Sequence, residues 1–157
     1  MNPWQPDETD LKIMDILQRT GRIDVTRIAK KVNKTPHPIH DRIYRLEEEG
    51  YIKGYVAMLD RAKIGKPVLV VTMVKLESQT KQLVDEFEQD VACLPEVQSC
   101  LLVTGNWNFL LHVSAATPQE YSVFLMEKIC SMRNVKYTES LFTLKECKTN
   151  GPFVFEK

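Results

Sequence analysis

Residues 24–50, DVTRIAKKVNKTPHPIHDRIYRLEEEG, decide the fold of the first half of the chain. Asp24 is a typical helix-capping residue, and the apolar residues after it follow the i, i+3, i+4, i+7 spacing of a short helix that ends at Asn33. A further helix begins near Thr35, with Pro36 in its first turn, where the missing N–H costs nothing. Two short helices joined by a tight turn are typical of a helix-turn-helix.

Another helix precedes this pair. Its apolar residues run from Leu11 to Leu17, Asp7 or Thr9 can cap it, and Gly21 follows its end. The N-terminal part of the chain is therefore predicted to be a three-helix unit.

The third helix can be oriented from its apolar stripe. If Ile39, Ile43 and Leu46 face the core, a rotation of 100° per residue places four other side chains outward, with Arg42 at the flank. These four are Lys34, His37, Asp41 and Arg45. Arginine can donate two hydrogen bonds to guanine, and aspartate can accept one from cytosine. The face therefore suits a major groove, although a helical cap with solvated charges would show the same spacing.

Charge is unevenly distributed along a chain whose formal net charge is zero. The segment from Arg22 to Arg45 holds seven basic and two acidic residues, whereas Glu77–Glu96 holds six acidic residues and one lysine. Arg27, Lys30 and Lys31 belong to the second helix, along which DNA phosphates would run. The asymmetry predicts two modules with different partners.

After Gly50 the apolar period changes to two, so residues 51–59 are predicted to form a strand or hairpin, and residues 60–67 have turn chemistry. The remaining chain alternates strands and helices in the order βαββαβ, the ferredoxin-like split motif. Its predicted elements are strands at 68–76, 97–104, 108–114 and 135–145, and helices at 80–94 and 118–132. Both helices then lie on one sheet face, and a second subunit is expected to cover the other.

Composition excludes several classes of protein. The chain has 157 residues, 43% of them apolar, and no apolar run long enough to span a membrane. No secretory signal is visible, so a cytoplasmic protein is expected, and buried thiols are favoured over two disulfides for its four cysteines. The sequence has no C-x-x-C pair, no G-x-S-x-G, no phosphate loop and no H-E-x-x-H motif. No metal, no cofactor and no enzymatic activity are therefore expected.

Two separate parts of the chain resemble one family. The run DLKIMDILQ at 10–18 and the segment TPHPIHDRIYRLE at 35–47, followed by GYIKGY at 50–55, resemble the DNA-binding half of the Lrp/AsnC regulators of bacteria and archaea. The segment TGNWNF at 104–109 resembles the turn before the third strand of their ligand-binding module. The resemblance runs from about Asp7 to Lys148, in order and without large gaps.

The resemblance implies an α+β protein with a winged helix-turn-helix followed by a ferredoxin-like module called RAM. It implies double-stranded DNA as a partner, homodimers that often assemble into octamers, and, in many members, an amino-acid effector bound between dimers. The implied boundaries are 1–54 for the DNA-binding domain, 55–67 for the linker and 68–157 for the effector-binding and oligomerisation domain.

The resemblance also implies DNA contacts at specific positions of this chain. These are Lys30, Lys31, Lys34, Thr35, His37, Pro38, Asp41, Arg42 and Arg45. Thr35 stands where the family usually has serine, and is expected to cap the helix and touch phosphate. Asp41 departs from the family's basic or neutral residue: it reads a cytosine or, as we favour, pairs with Arg45 at i+4.

Effector contacts are implied at a turn and on the last strand. The positions are Gly105, Asn106, Asn108, Thr138 and Ser140. Asn108 replaces the usual aspartate, so a ligand ammonium group would bind less well; alternatively, the turn only shapes the sheet. Thr138 and Ser140 share one strand face.

The function expected from all of this is sequence-specific transcriptional regulation in the cytoplasm, in association with the nucleoid. An architectural protein that organises DNA with low specificity is the alternative, and a ligand-sensing module with weak DNA contacts is a further one.

Overall fold

The computed structural model describes residues 4–149 and 151–155 and divides the chain into two compact units. The first unit contains the described residues up to Met58 together with those from Lys148 onward. The second unit is Leu59–Cys147. The chain therefore leaves the first unit once and returns to it at its C-terminal end.

The first unit holds three helices, α1 (Glu8–Thr20), α2 (Val25–Lys31) and α3 (Pro36–Glu48). Asp7 caps α1 through a reciprocal capping box with Asp10, and the Asp24 side chain accepts the Thr26 N–H to cap α2. The predicted three-helix unit is confirmed, because short-range capping and apolar spacing agree with the way the helices pack. Their shared core consists of Ile13, Met14, Leu17, Ile28, Ala29, Ile39 and Leu46.

The strand predicted at 51–59 is wrong. These residues are irregular in the structure, and Val56, Met58 and Leu59 are exposed. Alternating side chains are not enough to make a strand, because a strand also needs a neighbour to pair with its backbone N–H and C=O groups.

The second unit is a four-stranded antiparallel sheet in the order β2-β3-β1-β4, with α4 (Lys81–Ala92) and α5 (Pro118–Phe124). Its strands are β1 (Val68–Leu76), β2 (Val97–Leu102), β3 (Phe109–Ala115) and β4 (Val135–Phe142). The predicted βαββαβ order is confirmed. The helices bury one sheet face around Val70, Val74, Leu111 and Val113.

The long helix predicted at 118–132 is interrupted. α5 gives way to a π-helical turn over Leu125–Ile129, where the Cys130 N–H donates to the Leu125 carbonyl at 2.8 Å. This wider turn keeps Ile129 fully buried beside Phe124.

The C-terminal segment was predicted to belong to the second domain, 68–157, but in the structure it packs with the first unit. The Gln18 amide donates to the Phe153 carbonyl at 2.8 Å, and the Phe153 N–H donates to Gln18 Oε1, also at 2.8 Å. Phe155 packs against the helical core of the first unit. The described residues 148–149 and 151–155 therefore belong to the helical unit, where Phe153 bonds to Gln18 of α1 and Phe155 packs on the helical core.

All four cysteines are free, but three of them are not the buried thiols that were predicted. Cys93, Cys130 and Cys147 are exposed, and Cys100 is half-buried. Burial of the thiol and, as the smaller cause, the nearby charge of Glu88 raise the pKa of Cys100 to about 11.

Candidate DNA-binding surface and effector region

The outward face of α3 lies where the spacing predicts it. Ile39 and Leu46 are fully buried, whereas the His37 side chain is 90% exposed and Asp41 63%. Pro38 and Arg45 are also exposed. This face of α3, from His37 to Arg45 in its last turn, can therefore meet a groove without disturbing the core.

Exposed cations surround the start of α3. Lys30 and Lys31 lie in the last turn of α2, and Lys34 lies in the connection to α3. The Lys34 N–H donates to the Ala29 carbonyl at 2.9 Å, which fixes the path of the connection. Three exposed lysines shortly before α3 in the chain can neutralise DNA phosphates.

Thr35 occupies the N-cap position of α3, but its side chain makes no capping hydrogen bond, which corrects that part of the prediction. Its side chain is exposed. Pro36 stands at the helix start and lacks an N–H, so one of the groups that a cap would satisfy is already absent.

The predicted Asp41–Arg45 salt bridge is wrong. The Asp41 carboxylate lies 3.7 Å from His37 Nε2 and 3.8 Å from His40 Nδ1. Arg45 turns instead toward Trp4, with its Cζ 5.5 Å from the indole centroid. An exposed ion pair at i+4 is worth only a few tenths of a kcal/mol, so an aromatic face from outside the helix can replace it.

Arg42 is held inside the helical unit. Its Nη1 donates to Asp7 at 2.7 Å and to Asp10 at 2.8 Å. Burial opposes ionisation of Asp7, but the Asp10 amide and the Arg42 guanidinium outweigh it and lower the Asp7 pKa. The structure thus gives Arg42 two internal partners, which the prediction of a DNA contact did not include.

Sequence reasoning missed two exposed side chains of α3. His40 and Tyr44 extend the His37 stripe at i+3 and i+7, and Tyr44 is 59% exposed. The helical spacing places both side chains beside His37, but neither was among the predicted DNA contacts.

The turn at the predicted effector region is shaped by Gly105 and Asn108. Gly105 adopts φ 114°, a conformation that favours glycine. Asn108 is buried: its Oδ1 accepts the Leu76 N–H at 2.9 Å, and its own N–H donates to the Val74 carbonyl at 2.9 Å. Asn106 remains exposed. The Asn108 amide oxygen is thus part of the sheet framework, in line with the shaping role.

Thr138 and Ser140 do share a strand face, and that face points to α5. The Ser140 hydroxyl bonds to the Tyr121 hydroxyl, which in turn shares a 2.8 Å hydrogen bond with Thr72. Thr138 Oγ1 lies 3.7 Å from Cys130 Sγ. Both hydroxyls have partners within the unit.

An aromatic pair beside the same turn was not predicted. Trp107 and Tyr137 stack with their centroids 5.4 Å apart and 9° between planes. No spacing rule connects a turn residue with a distant strand, so nothing in the sequence indicated the pair.

Comparison with known proteins follows the two units. Residues 6–53 match the family described as winged helix-turn-helix DNA-binding, and residues 69–153 match the Lrp/AsnC ligand binding domain. The chain belongs to the Lrp/AsnC family. It is a transcriptional regulator with a DNA-binding helix-turn-helix and a ligand-binding domain. The resemblance on which the fold was predicted is confirmed.

Individual relatives match along nearly the whole length of this Lrp/AsnC regulator. It is 35% identical over 139 residues to the Bkd operon transcriptional regulator of Pseudomonas aeruginosa, covering 88% of this chain and 91% of that protein. It is 33% identical over 150 residues to the leucine-responsive regulatory protein of Haemophilus influenzae, covering 96% and 90%. A Neisseria meningitidis transcriptional regulator, solved as an L-Met complex, superposes with a TM-score of 0.87 at 29% identity, covering 92% and 94%.

The described residues also bear on metal-binding sites and membrane-spanning helices. Among them, no group of three or more His, Cys, Asp or Glu side chains is placed to hold a metal ion. None of the helices that the structure describes is both long and apolar enough to cross a membrane.

Proposed function

We propose that this Lrp/AsnC regulator reads DNA sequence with α3. The observation that carries the proposal is the exposed face of that helix. Its members are Lys34, Thr35, His37, Pro38, Asp41 and Arg45. Lys30 and Lys31 supply phosphate contacts from α2, and Arg45 supplies a guanidinium able to donate two hydrogen bonds to guanine. Arg42 contributes by fixing α3 on α1 through Asp7 and Asp10.

We propose further that the regulator is a dimer formed through the sheet face that α4 and α5 leave open. Alternation along β1 buries Thr72 and Val74 under the helices, so Val71 and Met73 point to the other face. Leu101 and Leu141, in register with this face, are about half exposed. Burying these side chains favours association, and two α3 helices then reach successive major grooves. Assembly of dimers into octamers would follow at further surfaces.

The effector we propose is an amino acid or a related small molecule near the 105–108 turn. The Neisseria relative was solved with L-Met. Because Asn108, Thr138 and Ser140 have internal partners, the exposed Gly105 and Asn106 are the groups left at this turn to contact a ligand. A DNA-bound regulator of this kind works in the cytoplasm, in association with the nucleoid.

The proposal is tested by fluorescence anisotropy on the regulator's own upstream DNA and on a scrambled duplex across a salt series. We expect tighter binding to the upstream duplex and a steep salt dependence on both. Equal affinity for the two duplexes would favour the architectural alternative, and no binding at low salt would reject DNA reading.

Two variants sharpen the test. Arg45→Ala should cost about 1–3 kcal/mol on the upstream duplex and much less on the scrambled one. Lys12→Ala, which removes an exposed cation of α1 that pairs with Glu8, is the matched control. An equal loss on both duplexes for Arg45→Ala would make Arg45 a phosphate contact.

A further inference from the structure

Trp4 precedes α1 and lies against the end of α3. Its ring meets Tyr51 edge-on, with centroids 5.6 Å apart and 83° between planes, and it packs against the helical core. Tyr51 directly follows the turn that closes α3. The indole is therefore held by two contacts, the Tyr51 ring and the helical core.

The face of this fixed ring carries Arg45. The guanidinium carbon stands 5.5 Å from the indole centroid, within the range of a cation–π contact. An exposed arginine without such a contact samples many rotamers, and it loses this conformational entropy when the side chain binds DNA. A ring that holds the guanidinium before DNA arrives lowers that entropic cost.

The type of contact matters as much as its presence. A carboxylate partner would occupy the N–H donors of Arg45, whereas an aromatic face attracts the cation and leaves the donors in the guanidinium plane free. Arg42 shows the other case, since Asp7 and Asp10 both bind its Nη1. Residues ahead of α3 thus bind Arg42 through its N–H donors, whereas Arg45 lies over an aromatic ring.

We propose that Trp4 is a positioning residue for DNA recognition, which holds the Arg45 guanidinium ready to bond a base. The inference rests on the proposed function of α3. It adds a specific role for a residue that lies outside the matched helix-turn-helix region, which begins at residue 6.

The test is a double-mutant cycle in the full chain: Trp4→Leu, Arg45→Ala, the double variant and Trp4→Phe, with anisotropy on the upstream and scrambled duplexes. Trp4→Leu should weaken binding to the upstream duplex about two- to five-fold, the size of an exposed cation–π contact. In the Arg45→Ala background the same change should have almost no effect, and Trp4→Phe should restore most of the affinity.

A merely structural Trp4 would behave differently. Its loss would weaken binding by the same factor with or without Arg45, and that additivity would overturn the inference while leaving the proposed function intact. If the wild-type chain bound neither duplex, the proposed function itself would fail. Lys12→Ala, the exposed α1 variant already used on these duplexes, is the control and should leave DNA affinity unchanged.

A second measurement keeps the inference testable if Trp4→Leu fails to fold. In a Trp107→Phe background, Trp4 is the only tryptophan and its emission reports its surroundings. We expect Arg45→Ala to shift that emission in the absence of DNA, and the upstream duplex to shift it only when Arg45 is present. Identical spectra with and without the Arg45→Ala substitution would overturn the contact.

Discussion

Asp10 is a buried carboxylate on which the first turn of α1 and the orientation of α3 both depend. It is only 2% exposed, and it accepts hydrogen bonds from the Asp7 N–H at 2.9 Å and from Arg42 Nη1 at 2.8 Å. Replacing it by alanine removes both acceptors at once. We expect Asp10→Ala to destabilise the first unit markedly.

The magnitude follows from the two bonds. Loss of a capping interaction costs about 0.5–2 kcal/mol, and a hydrogen bond to a charged group is worth about 1.5–3 kcal/mol. Arg42 is 36% exposed and keeps its bond to Asp7, so water and the second carboxylate compensate part of the loss. We therefore expect a total of about 2–4 kcal/mol. Asp10→Asn keeps an oxygen acceptor for the Asp7 N–H and should lose about half as much.

The assay is urea unfolding followed by Trp4 fluorescence in a Trp107→Phe background, so that the signal reports the first unit alone. With a slope of about 1–3 kcal/mol per molar urea, the midpoint for Asp10→Ala should fall by about 1–2 M. Lys12→Ala, which breaks the exposed Lys12–Glu8 pair on the same helix, is the control and should cost under about 1 kcal/mol. If Asp10→Ala and Lys12→Ala shifted the midpoint equally, the role assigned to this buried pair would be refuted.

Three further outcomes are expected. Gln18→Ala removes both hydrogen bonds to Phe153, so amide hydrogen exchange at 153–155 should speed up while α2 stays protected; unchanged exchange would mean that the segment is held by other contacts. The Thr26 hydrogen bond lowers the pKa of Asp24, so the stability it contributes is present above its unfolded pKa of about 4 and is lost as pH falls through the lower folded value. Asp24→Asn keeps the cap without the charge, and its melting temperature should therefore fall less than that of wild type between pH 6 and pH 3. Because burial raises the pKa of Cys100 to about 11, iodoacetamide at pH 8 should modify it last, as peptide mass spectrometry would show; rapid labelling would contradict its burial, since the other three thiols are exposed.

Local rules predicted the framework of both units. Asp7 and Asp24 cap helices through N–H groups that follow them directly in the chain, so these caps could be predicted without knowledge of the tertiary structure. Both ends of β1 were also predicted at the correct residues. The order of the second unit followed from the alternation of two apolar periods. Such signals extend over a few residues, and they hold wherever packing agrees with them.

The errors share a cause of another kind. The alternation at 51–59 could not reveal that no strand among the described residues pairs with this segment. The face shared by Thr138 and Ser140 was predicted correctly, but the sequence did not say that Tyr121 would lie over it. For Asn108 the family resemblance implied a ligand contact and the turn chemistry a shaping role, but neither indicated that its Oδ1 would accept the Leu76 N–H. In each case the deciding partner is remote in sequence.

The same reasoning applies to the recognition helix, where it matters most for function. The helical wheel put Arg42 at the flank, the family resemblance implied that it contacts DNA, and the i+4 spacing predicted that Arg45 pairs with Asp41. The deciding partners lie before α1 and in its first turn, where Asp10 accepts a hydrogen bond from Arg42 Nη1 and the Trp4 ring lies 5.5 Å from Arg45 Cζ. The helical spacing determines in which direction a side chain leaves the helix. The residues packed against it determine which of its N–H donors remain free to bind DNA. We therefore expect substitutions at Trp4, Asp7 or Asp10 to change how the arginines of α3 bind DNA, with the sequence of α3 itself unchanged.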